Sequence, residues 1–207
     1  MTLQCDRCAY VREQPQTTFT VETAFGRKAN ALQPLFSVEL LVLTKQQHTI
    51  SAGPFSRMDK ALGGALTAAM DREDFGGALG EHLLVEVHVP DQPLKRVLIV
   101  GMGNPGEGIR PNFCGMYRLA IDVANQLGFK NLGIPVWPGR LTADFMNIKG
   151  MLAVLHCRAA ERLRSTAEPT LKEIKVFCTA QARRHVEQGL AVDHQLCVVC
   201  RDPRICS

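Results

Sequence analysis

The stretch KRVLIVGMGNPGEGIRPNFCGMYRLAIDVANQLGFKNLGIPVW, residues Lys95–Trp137, decides how this chain is read. Val97–Val100 is a short, wholly apolar run and predicts a buried strand. Gly101–Gly108 is a glycine-rich loop, Cys114–Leu127 carries apolar residues at helical spacing, and Leu132–Val136 is a second buried strand. Strand, loop, amphipathic helix and strand make a βαβ unit, whose crossover is right-handed and whose two strands run parallel. Ligands of open α/β sheets sit beyond the carboxyl ends of the strands, where this glycine loop falls.

The flanking sequence extends the same pattern in both directions. Leu35–Leu43 (LFSVELLVL) predicts a further buried strand. Asp59 predicts a cap for a helix over Lys60–Met70, where Ala61, Leu62, Leu66 and Met70 recur on one face. Leu83–Val89 alternates as a strand with Glu86 and His88 outward. Val11–Thr23 offers an edge strand that Pro15 keeps short. Beyond Trp137, a helix capped by Asp144 or Thr142 runs to about Arg164. Ile174–Cys178 is a last strand, and Ala180–Leu190 a last helix with Arg183, Arg184 and His185 on a solvated face. The expected organisation is an N-terminal extension over residues 1–34, an α/β domain over 35–190 and a cysteine-rich tail over 191–207.

Composition bounds the function. The 207 residues are enough for one α/β domain with a substantial core. Apolar residues make up 46% and charged residues 21%, ordinary for a globular protein, and the net charge of +4 falls short of a dedicated nucleic-acid binder. No apolar run reaches the roughly 20 residues that span a bilayer, and the start MTLQCDRCAY lacks the apolar core of a signal peptide, so a cytoplasmic location is expected.

Chemistry-bearing patterns are few. The six histidines form no HExxH or His-x-His pairing, and no GxSxG nucleophile elbow occurs. His156 and Cys157 are adjacent on a predicted helix and point about 100° apart, so they form no dyad. In GMGNPGEG, Gly101, Gly103 and Gly106 could bring backbone amides to an anion, helped by the N-terminus of the following helix. Pro105 removes one donor and Glu107 adds negative charge. Val136-Trp137 stands where a dinucleotide-binding fold places its ribose-holding carboxylate. A plain strand-to-helix connection and a ligand-contacting loop both remain open for this stretch. Trp137 and Arg140, at the end of the next strand with Gly139 between them, could stack on a base and pair with phosphate.

Eight cysteines are present. Cys5/Cys8 and Cys197/Cys200 each have the CxxC spacing that lets two thiolates hold one tetrahedral zinc, which would then pin the two ends of the chain together. Unpaired cysteines, a redox disulfide or an iron–sulfur cluster are the other readings. Cys114, Cys157 and Cys178 fall inside predicted elements and read as small buried hydrophobes.

From Val97 to Leu190, the order of strand, glycine loop, helix, LGFKNLGIPVW, helix and LKEIKVFCTAQARRHVEQGL resembles the closing half of a macro domain. The middle of the chain, MDKALGGALTAAMDREDFGGALGE followed by KRVLIVGMGNPGE, resembles the amino-terminal, macro-like domain of the M17 leucine aminopeptidases. Asp59, Leu62, Gly63, Gly64 and Val97–Gly103 carry that likeness. The resemblance implies a three-layer α/β/α sandwich with a mixed, mostly parallel sheet. It also implies a non-catalytic module for a nucleotide-like, ADP-ribose-related or phosphorylated small molecule, contacted by Gly101, Gly103, Asn104, Gly106, Trp137, Gly139 and Arg140. The alternative is a structural or regulatory protein resembling a stand-alone aminopeptidase N-terminal domain, acting in assembly or DNA contact with zinc tying its termini. Nucleic acid and a second copy of the chain stay open as partners, and a membrane is not expected. Macro domains that bind or hydrolyse ADP-ribose carry an Asn-Ala-Ala-Asn-like run where this sequence has TKQQHT, and M17 peptidase chemistry belongs to a separate carboxy-terminal domain. Neither hydrolytic activity is expected here.

Overall fold

The computed structural model describes residues 17–26, 29–49, 53–104, 110–136 and 147–191. They form one six-stranded sheet: β1 (Thr18–Thr23), β2 (Leu40–Lys45), β3 (His82–Glu86), β4 (Arg96–Gly101), β5 (Asn131–Pro135) and β6 (Glu173–Cys178). The spatial order is β1-β6-β5-β2-β4-β3, with β3 antiparallel to β4 and every other pairing parallel.

Alternate residues of the central strands feed two cores. Leu40, Val42, Leu98 and Val100 face α3 (Arg110–Gln126), α4 (Ile148–Ser165) and α5 (Arg183–Leu190). Leu41, Leu43, Val97 and Ile99 face a 3-10 helix (Ala29–Ser37), α1 (Gly53–Ala61) and α2 (Ala65–Arg72). Strands apolar on both faces read as continuous hydrophobic runs, and helices on both sides complete the expected α/β/α sandwich. Between α3 and α4, Arg162 meets Asp122 at 2.7 Å, and Glu161 receives both Arg118, at 2.9 Å, and Arg158.

Several expected elements differ in extent. Leu35–Ser37 is helical, and β2 begins only at Leu40. The Ser37 hydroxyl donates to the Pro34 carbonyl at 2.7 Å and closes a turn ahead of the strand. Leu35 and Val38 are wholly buried, so the run is apolar because it lies inside, whatever its backbone does. β3 ends at Glu86, short of the expected Val89.

The single helix expected over Lys60–Met70 is two helices. Gly63 and Gly64 take φ of +67° and +83°, a left-handed turn that L side chains resist. Asp59 caps the second helix, α2: its carboxylate accepts from the amides of Leu66 at 2.9 Å and Thr67 at 3.1 Å, and from the Thr67 hydroxyl at 2.6 Å. The cap of α4 is Asn147, whose side chain accepts from the Gly150 amide at 2.9 Å; Thr142 and Asp144 lie outside the described residues. α5 starts at Arg183, after a turn at Thr179–Ala182.

β1 and the 3-10 helix precede the expected domain start at residue 35, yet β1 pairs with β6 over its whole length, and Ala24 and Leu32 are buried. The α/β unit therefore takes in residues from Thr17 onward. At the amino end of the sheet, Glu39 gathers three strands. Its carboxylate receives Lys95 Nζ at 2.6 Å and the Lys130 amide at 2.7 Å, while its own amide donates to Asn131 Oδ1 at 2.6 Å.

Candidate functional site

At the carboxyl end of the sheet the connections part. After β2 the chain leaves for α1 and α2 on one face; after β4 and β5 it leaves for α3 and α4 on the other. In open α/β sheets the ligand site falls where neighbouring strands' connections diverge, and here that switch point lies above β2, between β4 and β5. The N-termini of α3 and α4, helices of 17 and 18 residues, point to this end, and neither carries an acidic residue in its first turn. Both therefore contribute positive potential there.

The glycine loop behaves differently from its expected role. The amide of Gly101 donates to Glu81 O at 2.8 Å, that of Met102 to Lys45 O at 2.9 Å and that of Gly103 to Gly77 O at 3.1 Å. Gln47 N donates in turn to Gly103 O at 2.8 Å, so the loops after β2 and β4 are stitched together. Gly101 and Gly103 thus do not expose donors to a ligand. Both are buried, and the amides expected to meet an anion are spent inside the protein.

The close approach that demands glycine is between two stretches of this chain. The turn at residues 76–81 lies across the end of β4 and leaves no room for a side chain on Gly101. That turn is held by Glu81, whose carboxylate accepts from the amides of Gly77 and Ala78, each at 2.8 Å. Of the candidate ligand residues, Asn104 is described and exposed. Gly106, Trp137, Gly139 and Arg140 lie outside the described residues, as do Cys5, Cys8, Cys197 and Cys200.

A cation that the sequence did not single out sits at this edge. Lys45 ends β2, and its ammonium donates to Gln46 O at 2.7 Å, Thr49 O at 2.6 Å and Thr49 Oγ1 at 3.3 Å. Those partners are neutral, and burial pushes its pKa below the usual lysine value. The signal available was a lysine directly terminating a buried strand. The loop it braces is TKQQHT, which holds its own geometry through Thr49 Oγ1 donating to Gln46 O at 2.8 Å.

The other expected chemistry-bearing residues keep their plain roles. His48, His82, His88 and His185 are exposed, and Cys114, Cys157 and Cys178 are buried. Arg183 pairs with Glu187 one helical turn along, at 2.8 Å. His156 is only 6% exposed and stacks on Phe19 of β1 with ring centroids 5.2 Å apart. Among the described residues no helix is long and apolar enough to cross a membrane, and no group of three or more His, Cys, Asp or Glu could hold a metal.

Residues 40–132, from β2 into β5, match the family model of the cytosol aminopeptidase family, N-terminal domain. Two probable cytosol aminopeptidases are similar in sequence. That of Azotobacter vinelandii is 27% identical over 180 residues, covering 83% of this chain and 35% of that protein. That of Nitrosomonas eutropha is 31% identical over 147 residues, covering 65% and 29%. Among solved structures, a tomato leucine aminopeptidase mutant superimposes with a TM-score of 0.55 at 14% identity, covering 86% of this chain and 36% of that one. A Trypanosoma brucei macrodomain in complex with ADP gives 0.62 at 15% identity, covering 90% and 83%. The same macrodomain in complex with ADP-ribose gives 0.59 at 14%, covering 88% and 85%.

The fold is macro-like, and it resembles the amino-terminal domain of the cytosol aminopeptidases. The chain spans about a third of the length of those curated relatives. The matched segment of this macro-like fold contains both glycine features described above: the Gly63-Gly64 turn capped by Asp59, and the Gly101 packing site. In this chain both act on the fold itself, one breaking a helix and the other admitting a neighbouring loop.

Proposed function

We propose that this chain binds a nucleotide-like or phosphorylated small molecule of the ADP-ribose type, without transforming it. The observation that carries the reading is the switch point above β2, where the connections leave for opposite faces and two helices free of first-turn acids direct their N-termini to the same end of the sheet as Lys45. Such an arrangement favours an anion. The macrodomains in complex with ADP and ADP-ribose support the choice of ligand class. Because the amides of Gly101 and Gly103 are committed internally, the contacts fall to Asn104 and Gly106 on one side. On the other, Trp137 would stack on the base, with Gly139 and Arg140 at the phosphates. No transformation is proposed because TKQQHT, whose first two residues end β2, uses Lys45 and Thr49 to brace its own loop.

Thermal-shift titration with ADP-ribose, ADP and phosphosugars tests this. A specific binder gains about 3 kcal/mol at a hundredfold excess over its dissociation constant, a shift of several degrees. An unchanged melting temperature at millimolar ligand would overturn it.

A second reading, a structural or regulatory module acting in assembly or DNA contact, is favoured by a different observation. α5 runs back beside β1, so Thr17 and Ala191 lie on the same edge of the domain. A zinc held by Cys5, Cys8, Cys197 and Cys200 would then need only short approaches from either end. Metal analysis of the purified protein, with melting measured before and after a chelator, tests it. No bound zinc and an unmoved transition would sink the idea.

A further inference from the structure

Strand β3 ends the sheet, and among the described residues nothing pairs with its outer edge. The two bonds flanking its ladder fix which way its backbone points: Gly101 N donates to Glu81 O at 2.8 Å, and Val87 N to Lys95 O at 3.0 Å. In an antiparallel pair these alternate, so residues 81, 83, 85 and 87 aim their amides and carbonyls at β4. Those of His82, Leu84 and Glu86 aim outward.

The same three residues carry the exposed side chains. Leu84 is 38% exposed and the Glu86 side chain 78% exposed, while Val85 is buried. Leu84 and Leu79, five residues before it, are two of the three exposed large hydrophobics among the described residues. Of the devices that blunt edge strands, β3 has a short length and the exposed Glu86, but no proline, inward charge or bulge, and it pairs with β4 in unbroken register.

We propose that β3 is a self-association edge, on which a second copy of this chain docks antiparallel about a two-fold axis through Leu84. The sequence HLLVE is self-complementary in that register. Leu84 faces its own copy, and His82 faces Glu86 of the other copy in both directions. Each of the three facing pairs joins residues whose amides and carbonyls already point outward, so all exchange hydrogen bonds. Arg96 of β4, 3.1 Å from Glu86, holds that carboxylate in place along the seam. The two six-stranded sheets would become one continuous sheet of twelve. Pairing five residues buries less than the area of a standard interface, so the dimer forms in the micromolar range or weaker.

Sedimentation velocity on the full chain, from low micromolar to several hundred micromolar, should show a reversible monomer–dimer equilibrium. Leu84→Lys brings two like charges together on the axis and should weaken dimerisation at least tenfold. His82→Glu sets carboxylates opposite one another and should do the same, and adding Glu86→Lys to it should restore the dimer. All three positions are exposed, so melting temperatures at dilute concentration should stay within a few degrees of the parent. A monomer at every concentration, or a dimer indifferent to Leu84→Lys and His82→Glu, overturns the proposal. Failure of the double variant to recover overturns the register through Leu84.

Discussion

A Cβ placed on Gly101 would lie 2.0 Å from the carbonyl oxygen of Ala78, far inside any contact that real Cβ atoms make. The obstacle is backbone, pinned by the two amide bonds to Glu81, so it cannot rotate away. Gly101→Ala must therefore displace the turn at 76–81 or the end of β4. A loss of about 3 kcal/mol is expected, at the upper end for an overpacked interior, and is measurable as a drop in the urea midpoint.

Glu39 supplies a pH signature. Burial by itself raises its pKa, but the bond from Lys95, the Lys130 amide, the Lys95 charge and the Asn131 contact outweigh that and hold it below its ordinary 4.5. A carboxylate lowered on folding stabilises the protein above its unfolded value and loses that contribution as the pH falls through the folded one. Glu39→Gln should cost about 2 kcal/mol at neutral pH, the worth of a charged hydrogen-bond set, and should flatten the stability curve below pH 4.5.

His156 works in the same direction at higher pH. Its Nδ1 is buried and meets no hydrogen-bond partner among the described residues, and burial lowers its pKa from 6.5. The unfolded chain then takes up the proton first, so stability is complete above pH 6.5 and declines as the solution is acidified below it. His156→Phe keeps the stack on Phe19 and removes the orphaned nitrogen. It should raise stability by about 1 kcal/mol and abolish the decline between neutral pH and about pH 5, as read by denaturant titration across that range.

Asp59 joins α1 to the first turn of α2 across the Gly63-Gly64 turn. Asp59→Ala leaves the amides of Leu66 and Thr67 without their acceptor and should cost about 1–2 kcal/mol. Faster amide exchange should be confined to α2 if the cap is local, and hydrogen–deuterium exchange over residues 65–72 reads it directly.

The βαβ unit at the heart of the chain was legible because its apolar runs are short, uninterrupted and separated by a loop and an amphipathic helix. β4, α3 and β5 fall within a few residues of the expected ranges. Leu35–Ser37 was not legible, since a buried 3-10 turn and a buried strand are equally apolar. Asp59 reads as a cap from the sequence, but the break before the helix it caps does not, because helical spacing runs straight through Gly63 and Gly64. At the candidate site, the sequence marked Gly101 as a place where something comes close. It carried no information on what: that partner is Ala78, distant in sequence and brought over by Glu81. Lys45 gives little signal, because one lysine at the end of an apolar run looks like the return to solvent.

The pairing of β1 with β6 sets the order in which this molecule can be made. Thr18 finds its register partner at Glu173, so the first described strand stays without a neighbour until the last one has emerged and taken its place beside β5. Pairings so remote in sequence are slow to close. During synthesis the segment of β1, TFTVET, thus waits without its partner until β6 has been made. An unpaired strand in that interval is a template on which another chain can pair.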